Sequence, residues 1–357
     1  MSRGSRFVFV MAVLAASAVL VAALAASVGT THVRLADVVK AVAGRDVPPG
    51  INAIVSLRVS RVALACIVGV ALSCAGVALQ ALLRNPLADP YILGVSGGGA
   101  LAAALYLTCA SELVAAARSR LPGLSGLAVS AFAGALAASG VVLLAGRRKG
   151  HILPGTLLLV GVMVNALAGA AVLALTFLSS PANGRSTIVW LMGNLGGVGL
   201  SGKALATSAV ATLALVVLLW RLGARLNLMT LGDEAAAALG VNVPRTRLVA
   251  FILSALVTGL SVAVAGPVGF VGLIIPHMTR RLVGADHRMV FPAAAVLGAA
   301  FLVAADTLAR TAFVALAAVS RSAQIQGGEL PVGVLTAAIG APVFIWILHS
   351  HKGRYFE

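Results

Sequence analysis

The chain has 357 residues, of which 60% are hydrophobic and 10% charged, and a mean hydropathy of +1.05. That balance leaves too little polar surface to cover a water-soluble globule of this length, so the chain is read as an integral membrane protein of one domain, residues 1–357. The net charge of +16 would suit a nucleic acid, but the basic residues are scattered over loops between apolar runs. A membrane topology explains that distribution and nucleic acid does not enter the reading.

Runs long enough to cross a ~30 Å hydrocarbon core recur at 7–28, 62–83, 91–109, 124–145, 152–177, 203–220, 248–266, 269–279, 290–317 and 331–348. The expectation is an all-α polytopic bundle of about ten spans. The first run follows Arg3 and Arg6 and is longer than the ~7 to 15 apolar residues of a signal-peptide core, so it is kept as a helix. The eighth is too short to cross and carries Pro267, Gly269, Gly272 and Pro276. It is either a broken helix lining a cavity or a re-entrant piece, because irregular backbone at membrane depth must be shielded from lipid.

With the N-terminus inside, these spans place 15 of the 26 basic residues on the cytosolic side, densest at 147–149 and 280–288. An even number of spans then puts both termini in the cytoplasm. Two polar islands interrupt the apolar chain. Residues 84–100 form a twice proline-broken turn leading into a small-residue helix with Ser96, Gly97, Gly98 and Gly99; residues 231–241 hold Asp233 and Glu234 between Gly232 and Gly240. Three consecutive glycines, each costing about 1 kcal/mol of helix propensity, mark a candidate mobile, pore-lining segment; Gln80 and Asn85 precede it.

Asp306, with Arg310 four residues on, is the ionisable group that stands out within a span. A pairing of the two along one helix face and a proton or ion relay are both open. Gln80, Asn165 and Asn194 read as hydrogen-bonding residues between helices, and His277 as a capping or loop residue. Cys66, Cys74 and Cys109 lie inside apolar runs without metal-ligand spacing. No zinc helix, nucleophile elbow or phosphate-binding loop is found, so catalysis and metal binding are not expected, and ATP with magnesium, if used, would bind another chain.

The chain resembles the FecCD-type permeases of ATP-binding-cassette importers, which take up ferric siderophores, haem and cobalamin. The resemblance rests on ordered blocks: 58–61, Gln80 through Gly99, Leu231 through Val241, Gly266 through His277, Ala305 through Arg310, and Gly328 through Phe344. It implies the type II importer permease fold, a permease dimer (a homodimer or one with a close relative), two ATPase subunits on the cytosolic face and an extracytoplasmic substrate-binding protein, in the cytoplasmic (inner) membrane. It further implies that 226–246, with Leu231, Gly232, Asp233, Glu234, Leu239 and Gly240, is the segment that couples to the ATPase. Arg58, Arg61 and Arg310 match outward-facing arginines that dock the binding protein. Among substrates an iron complex is favoured, and the stretch 319–326 lengthens the last outer loop. The rival reading is an ion-coupled carrier or channel working through Asp306.

Overall fold

A computed structural model describes residues 3–29, 33–45, 47–113, 125–148, 151–196, 201–320 and 329–350. The expected residues Lys149, Gly197, 321–328, Lys352 and Arg354 lie outside that set. The helices are α1 (Arg3–Ser27), α2 (Leu35–Val42), α3 (Pro49–Leu83), α4 (Val95–Leu113), α5 (Gly126–Ala145), α6 (Pro154–Leu178) and α7 (Pro181–Leu191). They continue as α8 (Gly202–Arg221), α9 (Gly223–Met229), α10 (Asp233–Ala238), α11 (Val243–Ala265), α12 (Val271–Val283), α13 (His287–Ser320) and α14 (Val332–Ser350). A short 3-10 turn covers Pro90–Leu93, and Arg147–Arg148 pairs antiparallel with His151–Ile152.

Among the described residues, seven helices are long and apolar enough to cross a membrane: α1, α3, α5, α6, α8, α11 and α13. The apolar stretches Val95–Cys109 and Val332–Trp346 of α4 and α14 are shorter. The eighth expected span becomes α12, whose 13 residues reach ~20 Å and cannot cross alone. The expected second span is longer than its apolar run suggested: α3 starts at Pro49, with proline at the first helical position, where a missing N–H costs nothing. The helices α2 and α7 lie in segments read as loops; both are short, and α7 is capped by the Ser180 side chain on the backbone N–H of Asn183.

Burial sorts the bundle. In α3 and α11, 72% of the apolar window is buried, against 6% in α1, so α3 and α11 are core and α1 is rim. The core helix α3 packs against α13, α11, α12 and α8. Lipid is as apolar as leucine, so these contacts depend on close van der Waals approach, which small residues permit. Gly76 of α3 faces the backbone of Gly272 in α12, Gly69 faces Gly298 in α13, and Gly161 in α6 faces the carbonyl of Ile92; none has room for a methyl group.

These contacts predict a sharp contrast between two conservative changes. Gly76→Ala forces α3 and α12 apart and should destabilise by about 1–3 kcal/mol, seen as a lower Tm and less monodisperse protein in detergent. Gly140→Ala, at a position with nothing within 4 Å, should melt at or above the wild-type temperature.

Candidate functional site

Three regions along the bundle gather the polar residues. The first lies where the N-terminal half of α3 meets the C-terminal half of α13. Arg61 makes a two-pronged contact with Asp306, from Nε at 2.8 Å and Nη2 at 2.9 Å, and also donates to the exposed Glu329. Arg310 lies 3.3 Å from the same carboxylate. The i, i+4 partner expected from sequence is therefore present but secondary. Arg61 takes the better geometry, because a guanidinium arriving from a facing helix can meet both carboxylate oxygens in its plane.

Arg58 and Arg310 are 7% and 6% exposed, their guanidinium groups turned toward α1. The cause is the end of α1, whose last carbonyls have no partner within the helix. Arg58 donates to the carbonyls of Ala26 and Ser27, at 3.2 and 2.8 Å, and Arg310 donates to that of Ala25 at 3.1 Å. Two arginines thus fasten α1 to α3 and α13.

The second region is the broken segment after α11. Gly266, Phe270 and Gly193 all have positive φ, and for Phe270, a bulky residue at the N-cap of α12, this backbone costs about 1–3 kcal/mol. The irregular backbone is satisfied by neighbours. The Val268 N–H donates to the Tyr91 hydroxyl, and the Asn194 N–H donates to the Ala265 carbonyl at 2.9 Å. Asn165 ties this layer to α4: its Nδ2 donates to the Tyr91 carbonyl at 2.8 Å and its Oδ1 accepts from the Gly97 N–H at 3.0 Å. The expectation of a broken piece at this place agrees with the structure, and Asn165 bonds between elements as read.

Beside this layer lies a cavity of about 460 Å³ whose polar lining comes from Tyr91, Ser96 and Asn165, with Gly97, Gly169 and Pro267 on its walls. Of the residues read as a mobile pore-lining segment, Ser96 and Gly97 face this space. Gly98 is pressed on Gly134 of α5 and Gly99 on Val262 of α11, so these two serve close packing in this conformation. Asn85 closes a turn, its Oδ1 accepting from the Leu87 N–H at 2.9 Å. Asn194 likewise turns its side chain to the Gly196 N–H at 2.7 Å.

The third region lies beyond the C-terminal end of α3. Residues 226–246 form α9, α10 and the start of α11, with Gly232 and Gly240 at φ 115° and 84°, values that suit glycine. Asp233 in the first turn of α10 is held by Arg84, at the end of α3, and by Arg247 of α11 at 2.9 Å. Glu234 is exposed, and Leu231 and Leu239 are 65% and 59% exposed. Ala236 is buried, so α10 seats one face on the bundle while the two leucines that flank it stay exposed. Gln80 accepts from Arg280 and donates to the Leu273 carbonyl at 3.3 Å, bridging α3 and α12 as an interhelical residue. Next to it Asp286 accepts from Asn227, at 2.6 Å, and from the Arg288 N–H. Partial desolvation raises its pKa, but the Asn227 and Arg288 hydrogen bonds and charge outweigh this and hold the carboxylate below its ordinary range.

Sequence reasoning missed Tyr91, Arg84 and Arg247. Arg84 and Tyr91 meet their partners 149 and 177 residues away and Arg247 meets Asp233 14 residues away, across the turn after α10; the one local signal was the proline-bounded turn that carries Tyr91.

The FecCD transport family model matches residues 14–350. Among curated proteins, the chain is 41% identical to the hemin transport system permease protein of Yersinia pestis, over 82% of each chain. It is 38% identical to a cobalamin import system permease protein of Halobacterium salinarum, covering 84% of this chain and 74% of that one, and 39% identical to an Fe(3+) dicitrate transport system permease protein of Escherichia coli, covering 82% and 83%. A solved structure described as a metal-chelate type ABC transporter in an inward-facing conformation superposes with a TM-score of 0.77 at 29% identity, covering 95% of this chain and 98% of that one.

Removing the Asp306 charge leaves the buried Arg310 without a carboxylate and Arg61 with the exposed Glu329 alone. Asp306→Asn should therefore lower stability by about 3–5 kcal/mol, whereas Glu329→Gln, at an exposed carboxylate, should cost under about 1 kcal/mol; thermal melts in detergent report both. The family match, the helical bundle and the superposition agree: the chain belongs to the FecCD transport family, as a multi-pass membrane permease of the ATP-binding-cassette importer type.

Proposed function

We propose that this permease carries an iron chelate, or the related cargoes haem or cobalamin, across the cytoplasmic membrane, powered by ATP hydrolysis on separate subunits. The observation that carries the mechanism is Asp233. It links the exposed helix α10 to α3 and α11, the two most buried helices of the bundle. A push on α10 therefore acts directly on the core.

In this reading the two ATPase subunits, holding ATP and magnesium, seat Leu231 and Leu239 in an apolar cleft. Gly232 and Gly240 set the entry and exit angles of the coupling helix, and Glu234 stays at its rim. Both chain termini face the same cytoplasmic side. A second copy of the permease completes the pathway, each copy contributing the Tyr91, Ser96, Gly97 and Asn165 wall. Gln80 and Asn85 precede that wall in the chain, and Gly98 and Gly99 are the contacts that would slide. The lining offers hydroxyl and amide groups and no charge, which suits a bulky chelate released from a binding protein better than a small ion.

The binding protein docks at the outer end of α3 and α13. An acidic partner side chain would compete with Glu329 for Arg61, and reach Arg58 or Arg310 only by replacing the α1 carbonyls they hold.

The test is ATP-dependent uptake into proteoliposomes holding the permease, its ATPase and a binding protein, with haem, a ferric chelate and cobalamin offered in turn. Asp233→Ala should reduce uptake about tenfold or more, the loss expected for two charge-assisted bonds, while ATP hydrolysis continues. Uptake driven by a proton gradient without the ATPase, and lost in Asp306→Asn protein that still folds, would overturn the proposal in favour of an ion-coupled carrier.

A further inference from the structure

A second cavity, of about 560 Å³, opens at the C-terminal end of α3, between that helix, the following turn, Thr230, α12 and the start of α13. Its polar lining includes Arg84, Arg280, Arg281, His277 and His287, and none of its lining residues is a carboxylate. Arg84 is partly neutralised by Asp233 and Arg280 is held by Gln80. Arg281 is exposed, its guanidinium 5.5 Å from the centre of the Trp346 ring, and no ion pair to it is found among the described residues. The ring face orients the guanidinium without cancelling its charge.

His287 adds a different kind of group. It is 4% exposed, and its Nδ1 lies 2.6 Å from Asn227 Oδ1. The Asn227 amide is oriented by its own contacts, since Nδ2 faces the Asp286 carboxylate and Oδ1 accepts the His287 N–H. An amide oxygen only accepts, so Nδ1 carries the proton and Nε2 of the neutral ring offers a lone pair. Nε2 is buried and has no hydrogen-bond partner among the described residues. A buried acceptor left unmet costs free energy.

We propose that this cavity binds a phosphate group that retains one proton. The arginine N–H groups take its charged oxygens, as guanidinium forks do for phosphate, and His287 Nε2 accepts the remaining P–OH. A fully ionised tetrahedral anion such as sulfate meets the arginines but leaves Nε2 unmatched. The phosphate belongs either to a soluble species or to a phosphomonoester lipid headgroup such as phosphatidic acid, because basic pockets on the cytoplasmic side of helical bundles suit anionic headgroups. The chemistry is the same for both, and the inference does not depend on which cargo is transported.

The experiment uses the full chain purified in neutral detergent and delipidated. Its Tm is followed at neutral pH while inorganic phosphate, sulfate or chloride is added at matched ionic strength. Phosphate should raise Tm in a saturable manner, with an apparent affinity at least about tenfold better than that of sulfate. His287→Phe should abolish the preference for phosphate over sulfate, and Arg281→Gln should weaken both anions about tenfold. In phosphatidylcholine nanodiscs doped with phosphatidic acid or phosphatidylglycerol, native mass spectrometry then separates the sources. Selective retention of phosphatidic acid, released by inorganic phosphate, assigns the lipid; stabilisation by inorganic phosphate without lipid retention assigns a soluble phosphate. If a variant does not fold, the wild-type comparison of phosphate with sulfate decides alone: equal effects of the two, or none beyond chloride, overturn the proposal.

Discussion

In a hydrocarbon layer every backbone N–H and C=O must find its partner within the protein, and the breaks in this bundle are shaped by that requirement. The chain leaves helical geometry between Gly266 and Phe270, where lipid would impose several kcal/mol per unmet group. The Tyr91 hydroxyl supplies an acceptor for Val268, and the Ala265 carbonyl takes the Asn194 N–H. Tyr91 is in turn fixed by Asn165, which also holds Gly97. The cavity exists because these polar fixtures hold α4, α6 and the broken segment apart at a set spacing.

The ion pairs found among the described residues fall in two groups, and charge is used differently in each. Where the N-terminal half of α3 meets α13, Arg61, Arg310 and Asp306 form a desolvated cluster in which one carboxylate joins both guanidinium groups. Such clusters are weak sources of net stability but severe penalties when broken, so they fix an arrangement rather than deepen it. Beyond the C-terminal end of α3, Asp233 is about half exposed between its two arginines. Water screens that contact, so it holds α10 less firmly than the buried cluster holds α13.

Much of the bundle was legible in the sequence, because spans of about 20 apolar residues and the proline- and glycine-rich break at 266–276 are local signals. The positive-φ glycines bounding α10 were equally legible, since glycine on both sides of a short alanine run anticipates such turns. Partner choice was less so. Asp306 reads as the partner of Arg310 because four residues separate them, whereas Arg61 is 245 residues away and nothing local announces it. Arg58 and Arg310 were read as docking residues from the family resemblance alone, and nothing local announces that the bare carbonyls of α1 draw their side chains inward. The triple glycine at 97–99 suggested bending, and its close backbone contacts with three neighbouring helices are properties of packing that no single-helix propensity contains.

The helix α3 runs unbroken from Pro49 to Leu83, with Arg61 against Asp306 and Arg84, immediately after its last turn, against Asp233. Those two anchor points are ~35 Å apart along the axis. If α3 pivots as a rod near Gly69 and Gly76, where it has no room for a methyl group against α13 and α12, its two anchor points are the ends of a lever. A tilt of a few degrees that displaces one end by an ångström swings the other end the opposite way. The narrow glycine waist would then act as a fulcrum, and bulk added there would change the throw of the lever as well as the stability of the fold.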